Sequence, residues 1–403
     1  MKKFTKLSLV AAVAVAGLSS ANAKPLEEAI KDVDVSGTVT YRYDNFGNDK
    51  SGETTNANKY KINLNLSSKV NDYVKFNTRF NVANNANDFG TLDKANGTPD
   101  INVGAQDGVN TGVGLAHAYF GLSVIPNTTV NVGKQGLATP WTVATDNDGG
   151  EQTGTGIFSV TAVDKFVLGL AYFNQTNINT TAPAGGLLSG SEDIYAATLQ
   201  ANYGIVNAEA WYLNAVDQFD TYTAAIHGKA DLADNAKVGY EVRYVALKLD
   251  DKIVPNAETD TLLRVAVDGK VGIVNARLAY TTTDKDGGLT ALDSDAQNAS
   301  LGWRLNSLGK ADAKYLQATL GADILDNLNF SVHYGKLEFD AATSLATQTD
   351  KTTGTIKQDE VFGQLTYKMS KNLDGYIRYG QQDLDKTNGS KENSGRLQVN
   401  YKF

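Results

Sequence analysis

Residues 33–44 read VDVSGTVTYRYD, and their side chains sort into two sets. Val33, Val35, Val39, Tyr41 and Tyr43 share one face, while Asp34, Ser36, Thr38, Thr40 and Arg42 share the other. Period two marks a strand with one apolar and one polar side, because successive Cβ atoms alternate across the pleat. The pattern recurs at 60–67, where Ile62, Leu64 and Leu66 oppose Lys61, Asn63 and Asn65, and at 74–82, where Phe76 and Phe80 oppose Lys75, Asn77 and Arg79. Further along, Val238, Tyr240, Val242 and Tyr244 oppose Lys237, Glu241 and Arg243, and Val265 and Val267 oppose Arg264 and Asp268. Val274, Ala276, Leu278 and Tyr280 oppose Asn275 and Arg277, and Leu373, Ile377 and Tyr379 oppose Asp374 and Arg378. The chain ends with Leu397, Val399, Tyr401 and Phe403 opposite Arg396, Gln398, Asn400 and Lys402.

The connections alternate as well. Short links at Asn71-Asp72, Asp164-Lys165, Asp234-Asn235, Gly269-Lys270, Asp326-Asn327 and Ser370-Lys371 separate long stretches at 45–59, 84–111, 136–155 and 175–191. Short turns on one side and long loops on the other mark an outer-membrane barrel, whereas a soluble sandwich keeps its turns short at both ends. Eight short turns, near Asn71, Pro126, Asp164, Tyr203, Asp234, Gly269, Asp326 and Ser370, predict roughly 18 antiparallel strands with both termini on one side. Residues 292–307 read as a long outer loop, because another strand there would break that parity.

At about 18 strands the interior is too wide for side chains to fill and should hold water. The polar face agrees: Arg42, Lys61, Arg79, Glu209, Glu241, Arg243, Arg264, Arg277, Arg378 and Arg396 would be prohibitive together in a dry core but suit a pore lining. Tyr41, Tyr43, Tyr60, Tyr240, Tyr244, Tyr280, Tyr367, Tyr379 and Tyr401 fall on the apolar face near strand ends, where aromatic girdles meet the headgroups. The negative mean hydropathy is compatible with this, since a barrel strand needs apolar residues on one face only.

Residues 1–23 carry Lys2, Lys3 and Lys6, then an apolar run, then Ala21-Asn22-Ala23, the layout of a cleaved secretory signal peptide. Residues 24–403 then form a single barrel domain in the bacterial outer membrane. The leader holds three of the 37 basic residues and none of the 45 acidic ones, so the remainder has 34 against 45, a formal charge of −11. That balance argues against a nucleic-acid partner. With no cysteine there is no thiolate metal site or thiol nucleophile, and His117, His227 and His333 stand in no metal-ligand spacing. No Gly-x-Ser-x-Gly elbow, phosphate loop or His-Glu-x-x-His occurs, and the chain is expected not to be an enzyme.

The segment PLEEAIKDVDVSG at 25–37, followed by Tyr41-Arg42-Tyr43-Asp44, resembles the major outer membrane porin of campylobacters and their relatives. Gly133-Lys134-Gln135, Trp141, Gly154-Thr155-Gly156, Arg304-Leu305-Asn306, Arg396-Leu397-Gln398 and the closing Tyr401-Lys402-Phe403 extend the resemblance along the whole chain. It implies a homotrimer of 18-stranded barrels in outer-membrane lipid and lipopolysaccharide. Such porins pass ions and small hydrophilic solutes, prefer cations, and narrow each channel with inward-folded loops. The terminal Phe403 resembles the signal read by the barrel-assembly machinery. The resemblance also implies a structural calcium ion near the constriction, with no other cofactor required. Asp148, ahead of Gly154-Thr155-Gly156, is the ligand that carries over, and Asp146, Asp293 and Asp295 are further candidates. Calcium wants several oxygen ligands, and one matched aspartate does not make a site.

On this reading the stretch 136–155 folds into the lumen with Trp141 as its anchor; the alternative is an ordinary surface loop. Asp146, Asp148 and Glu151 form a cation-attracting rim or a solvated acidic loop, and Lys134, Arg42 and Arg79 an opposing basic wall or plain solvated charges. Lys61, Glu241, Arg243, Arg264, Arg277 and Arg378 complete the expected lining. Trp211 and Tyr376 are too few inward aromatics for a substrate-specific slide, which leaves general diffusion as the expected function. The competing reading is a surface adhesin whose outer loops bind host molecules while the pore is incidental.

Overall fold

In the computed structural model the alternating segments pair edge to edge until the sheet closes. The structure describes residues 33–49, 52, 54–83, 89–92, 112–146, 149–178, 188–342, 351–385 and 390–403. The leader read at residues 1–23 lies outside them. The strands are β1 (Val33–Asn48), β2 (Thr54–Lys69), β3 (Val74–Ala83), β4 (Gly90–Thr91), β5 (Gly112–Leu122), β6 (Thr128–Gly136), β7 (Thr153–Val163), β8 (Phe166–Thr176), β9 (Ile194–Asn202), β10 (Asn207–Ala215), β11 (Phe219–Ala233), β12 (Ala236–Leu249), β13 (Thr259–Val271), β14 (Val274–Thr283), β15 (Ala311–Leu325), β16 (Leu328–Ala342), β17 (Lys351–Lys368), β18 (Leu373–Asp385) and β19 (Ser390–Lys402). The two-residue β4 is an appendage on β2. The other 18 form a closed antiparallel barrel, each pairing with its neighbour in sequence and β1 pairing with β19.

Closure leaves no free sheet edge, which is the condition for strands to stand in hydrocarbon. At the seam, Gly37 N–H donates to the Phe403 carbonyl (2.9 Å) and Phe403 N–H donates to the Gly37 carbonyl (3.1 Å). A Cβ on Gly37 would overlap the Asn63 carbonyl and approach the Phe403 ring to 2.7 Å, so this crossing of three strands requires glycine.

The turns lie where expected with one exception. The short link expected at Gly269-Lys270 is not a turn: both residues stay in the ladder, opposite Ala276 and Asn275. The reversal comes at Gly272-Ile273, where Gly272 supplies the left-handed backbone (φ 56°). Long connections sit at the opposite end, although β10 and β11 are joined there by only three residues, 216–218.

Polarity is inverted relative to a soluble protein. Outward positions such as Leu199, Ile226, Val267, Leu278, Leu320 and Tyr379 are exposed, while Thr40, Arg42, Lys61, Asn81, Arg243 and Gln398 are buried on the inside. An apolar belt this continuous is costly in water and favourable in lipid. The inner face is not uniformly polar. Toward the loop end of β10–β13, Leu213, Ala215, Val245, Leu247, Leu249 and Leu262 point inward and are buried. All of these except Val245 and Leu262 join one cluster with Leu137, Trp141, Leu289, Leu292 and Leu308, which belong to the connections 137–152 and 284–310. Two loops thus fill part of the barrel with a small hydrophobic core. Residues 292–307 contain no strand of the barrel, as expected, but they run inside the wall and are not an outer loop.

Candidate functional site: the loop-lined lumen

The connection after β6 turns into the barrel and is held by buried charge. Arg79 on β3 donates Nε to both oxygens of Glu151 (3.0 and 2.9 Å), and its Nη2 closes a second, shorter contact with Oε1. Asn81 Nδ2 (3.2 Å) and the Asp146 amide (3.3 Å) also donate to this carboxylate, which has no solvent exposure. One strand over, the Lys61 ammonium donates to the carbonyls of Asp146 (2.7 Å) and Gly149 (2.5 Å). Trp141 anchors the loop from the apolar side: it is fully buried and meets Trp211 edge-on at 6.4 Å.

The second inward segment, 284–310, crosses the lumen along the β10–β19 side. Its Leu292 amide donates to the Trp141 carbonyl (2.8 Å) and its Asn298 amide to the Pro140 carbonyl (2.9 Å), so the two loops lock together. Asn298 also joins Thr223 and Arg243, and Arg264 donates to the Ala299 carbonyl (2.8 Å). At its far end the amides of Trp303 and Arg304 converge on the buried Glu360 carboxylate at 3.0 and 2.9 Å, with Leu305 N–H at 3.4 Å. A run of backbone N–H groups around one carboxylate is a built anion nest, used here to moor a loop. The Arg378 guanidinium lies over the rings of Trp303, Phe362 and Tyr376 at 4.9–5.1 Å, a cation–π cage at the same mooring.

These loops change the standing of the expected pore lining. Lys61, Arg79 and Arg243 face inward from the wall, but the loops cover them, and each is paired, Arg79 with Glu151 of the loop itself, so they are struts and not water-bathed lining. Glu151 in particular is no rim group, because Arg79 neutralises it. Lys134 is misplaced altogether. It shares a face with Val130 and Val132 and lies in register with Ala118 and Thr155, on the outer side of the wall. There its Nζ snorkels to the Leu115 carbonyl (2.7 Å) beside the register shift between β3 and β5. Its parity was readable from the sequence; its charge suggested otherwise.

The basic wall is instead built at the seam. Asp44, Arg396, Arg378 and Gln364 form one rung across β1, β19, β18 and β17, with Arg396 Nε bonded to Asp44 (2.6 Å) and Arg378 Nε to Gln364 (2.8 Å). Arg42 lies on Gln398 (2.8 Å) and over the Phe89 ring (4.0 Å). Opposing charge comes from the loops. The Asp295 carboxyl meets solvent yet stands inside the barrel near Asp146 and Asp293; enclosure by protein, then these two carboxylates, push its pKa up to about 6, against the pull of Arg42 and Arg396. Below the loops lies a cavity of about 850 Å³ beside Glu209, Trp211, Glu241, Arg264, Asp268 and Arg277. Its charges are interleaved: Glu241 bridges Arg243 (3.2 Å) and Arg264 (2.7 Å), and Arg277 pairs with Asp268 (3.3 Å).

Asp148 lies outside the described residues. Among those described, no three His, Asp or Glu side chains gather as a metal cage. The backbone oxygens of Asp146 and Gly149, on either side of Asp148, are already bonded to the Lys61 ammonium. Calcium takes six to eight oxygens, so the described Asp146, Asp293 and Asp295 do not by themselves fit it.

The family model for the Campylobacter major outer membrane protein matches residues 1–403, the whole chain. The chain belongs to this family. Membership and fold place this porin in the outer membrane and point to a channel, not an enzyme. Among solved structures, Pseudomonas aeruginosa OccK5 (OpdH) superposes with a TM-score of 0.71 at 15% identity, covering 93% of this chain and 98% of that one. P. aeruginosa OpdK with vanillate gives 0.71 at 14% identity, covering 93% and 99%. Acinetobacter baumannii OccAB1 gives 0.69 at 16% identity, covering 96% and 99%. At these identities the likeness is one of fold. No curated protein matches the sequence.

Sequence reasoning missed the apolar inner patch and the Glu360 mooring. The first had a signal: Arg243, Val245, Leu247 and Leu249 share one parity, so the face that begins polar turns apolar within a single strand. The second had none, since nothing local marks Glu360 as the partner of residues 303–305.

Proposed function

We propose that this porin is a passive diffusion channel for ions and small hydrophilic solutes, working as a homotrimer with a preference for cations. The observation that carries the reading is Asp295, an exposed carboxylate on an inward loop that stands with Asp146 and Asp293 within electrostatic reach of Arg42 and Arg396 on the barrel wall. Opposed charges across a narrow aqueous passage make a transverse field that admits small polar and ionic solutes and holds back apolar ones. Cation preference is supported by carboxylates standing on the loops while most inward arginines are neutralised by acid partners, and by the chain's formal net charge of −8. The trimer rests on the family alone.

Planar-bilayer recording of the purified protein under a salt gradient tests the proposal. Stepwise insertion in groups of three equal levels, with a reversal potential shifted toward the cation value, is the expected result. A folded, heat-modifiable barrel that passes no current would overturn the channel and favour the adhesin, and a reversal potential on the anion side would overturn the selectivity.

A further inference from the structure

Lys61 stands near the middle of β2 with no solvent exposure, and a buried ammonium is tolerated only when its three protons find acceptors. Two of those acceptors are the carbonyls of Asp146 and Gly149, at 2.7 and 2.5 Å. Asp146 and Gly149 lie three residues apart in the acidic stretch of this loop, so a single cation grips both. Backbone carbonyls converging from an acidic stretch are the environment that hard cations seek, and an ammonium is a compact, strongly hydrated point charge able to take their place. The surroundings strengthen this preference for positive charge. An ideal Cβ on Gly149 lies 2.6 Å from the Asp146 carboxylate and 3.8 Å from that of Asp295, so both carboxylates border the same stretch.

We propose that the Lys61 ammonium is the resident cation of the constriction. It holds Asp146 and Gly149 against β2, and Arg79 holds Glu151 against β3 beside it, so the wall itself supplies both positive charges that fix the loop. The carboxylates of Asp146 and Asp295 beside Gly149 are thereby positioned without a divalent ion. Lys61 is a positioning residue: it touches no permeating solute, and it acts on selectivity through the loop. The inference departs from the calcium ion that the resemblance implies, and it concerns how the constriction is built, so it stands or falls separately from the conductance that tests the channel.

The test compares the intact porin with Lys61→Met, using single-channel conductance, reversal potential and the midpoint of heat modification. Each is measured in EDTA and again with added CaCl₂. For the native chain, all three readouts are expected to be the same in EDTA and in calcium. Lys61→Met, which keeps the length of the stem and loses the charge, is expected to lose the single steady conductance level and shift the reversal potential in both solutions. A native channel that loses its steady level in EDTA and regains it with CaCl₂ would overturn the proposal, because a divalent ion would then hold the loop. So would a Lys61→Met channel identical to the native one in EDTA. If Lys61→Met does not fold, the native protein's response to EDTA and CaCl₂ decides alone.

Discussion

At the scale of single residues, the lumen shows how a barrel can carry many charges on its inner face and still bury several of them. Arg79 and Glu151 are enclosed together, and each is tolerable only because the other is present. Arg79→Met should therefore cost about 3–5 kcal/mol, the cost of leaving a buried carboxylate unpaired. The midpoint of heat modification should fall, with a noisier and larger conductance as the loop leaves the wall. The double variant Arg79→Met/Glu151→Gln should recover part of the midpoint but not the native conductance. Asp295 predicts a pH effect. Its pKa is raised to about 6, so it is largely ionised above that pH and takes up a proton as pH falls through it. The lumen beside the loops then loses negative charge, and the reversal potential should move toward the anion side between neutral pH and pH 5, a shift that Asp295→Asn should abolish. For stability the sign is the same direction: a carboxyl whose folded pKa is raised favours the folded state more as pH falls through that value.

At the scale of elements, alternation decides which way each strand faces, and the seam decides whether the sheet can close. Gly37 sits where β1 meets β2 and the Phe403 ring, with no room for a side chain. Gly37→Leu should therefore reduce the folded, heat-modifiable fraction sharply, whereas leucine at Gly272 is disfavoured only by its left-handed turn backbone and should be milder. The inward loops behave as elements of the core. Segment 284–310 is moored at Leu292, Asn298 and residues 303–305, and Glu360 holds the last of these through backbone groups that no side-chain change there can replace. Glu360→Gln should keep the barrel but loosen this mooring, seen as faster proteolysis between residues 300 and 310 in detergent-solubilised protein.

At the scale of the whole molecule, polarity is the organising fact: lipid outside, water and paired charge inside. Leu278→Arg, at a mid-strand outward position, should cost about 2–4 kcal/mol and leave conductance unchanged once folded. Arg277→Leu, one residue away on the inner face, should leave folding intact and alter conductance instead. The sequence by itself determined the barrel. Period-two alternation, the short turns and the parity of strand count are local properties, and a strand's face follows from parity alone, as the misread Lys134 shows by obeying it. It also carried, unrecognised, the switch of β12 from Arg243 to Leu247 on one face. Only the tertiary structure decided which inward charges meet water. Burial of Lys61, Arg79 and Glu151 depends on loops separated from the wall by some 70 to 90 residues of chain folding back over it. The pairing of Glu360 with residues 303–305 is likewise a contact between distant segments, and contacts of that kind leave no period in the sequence for a local reading to detect.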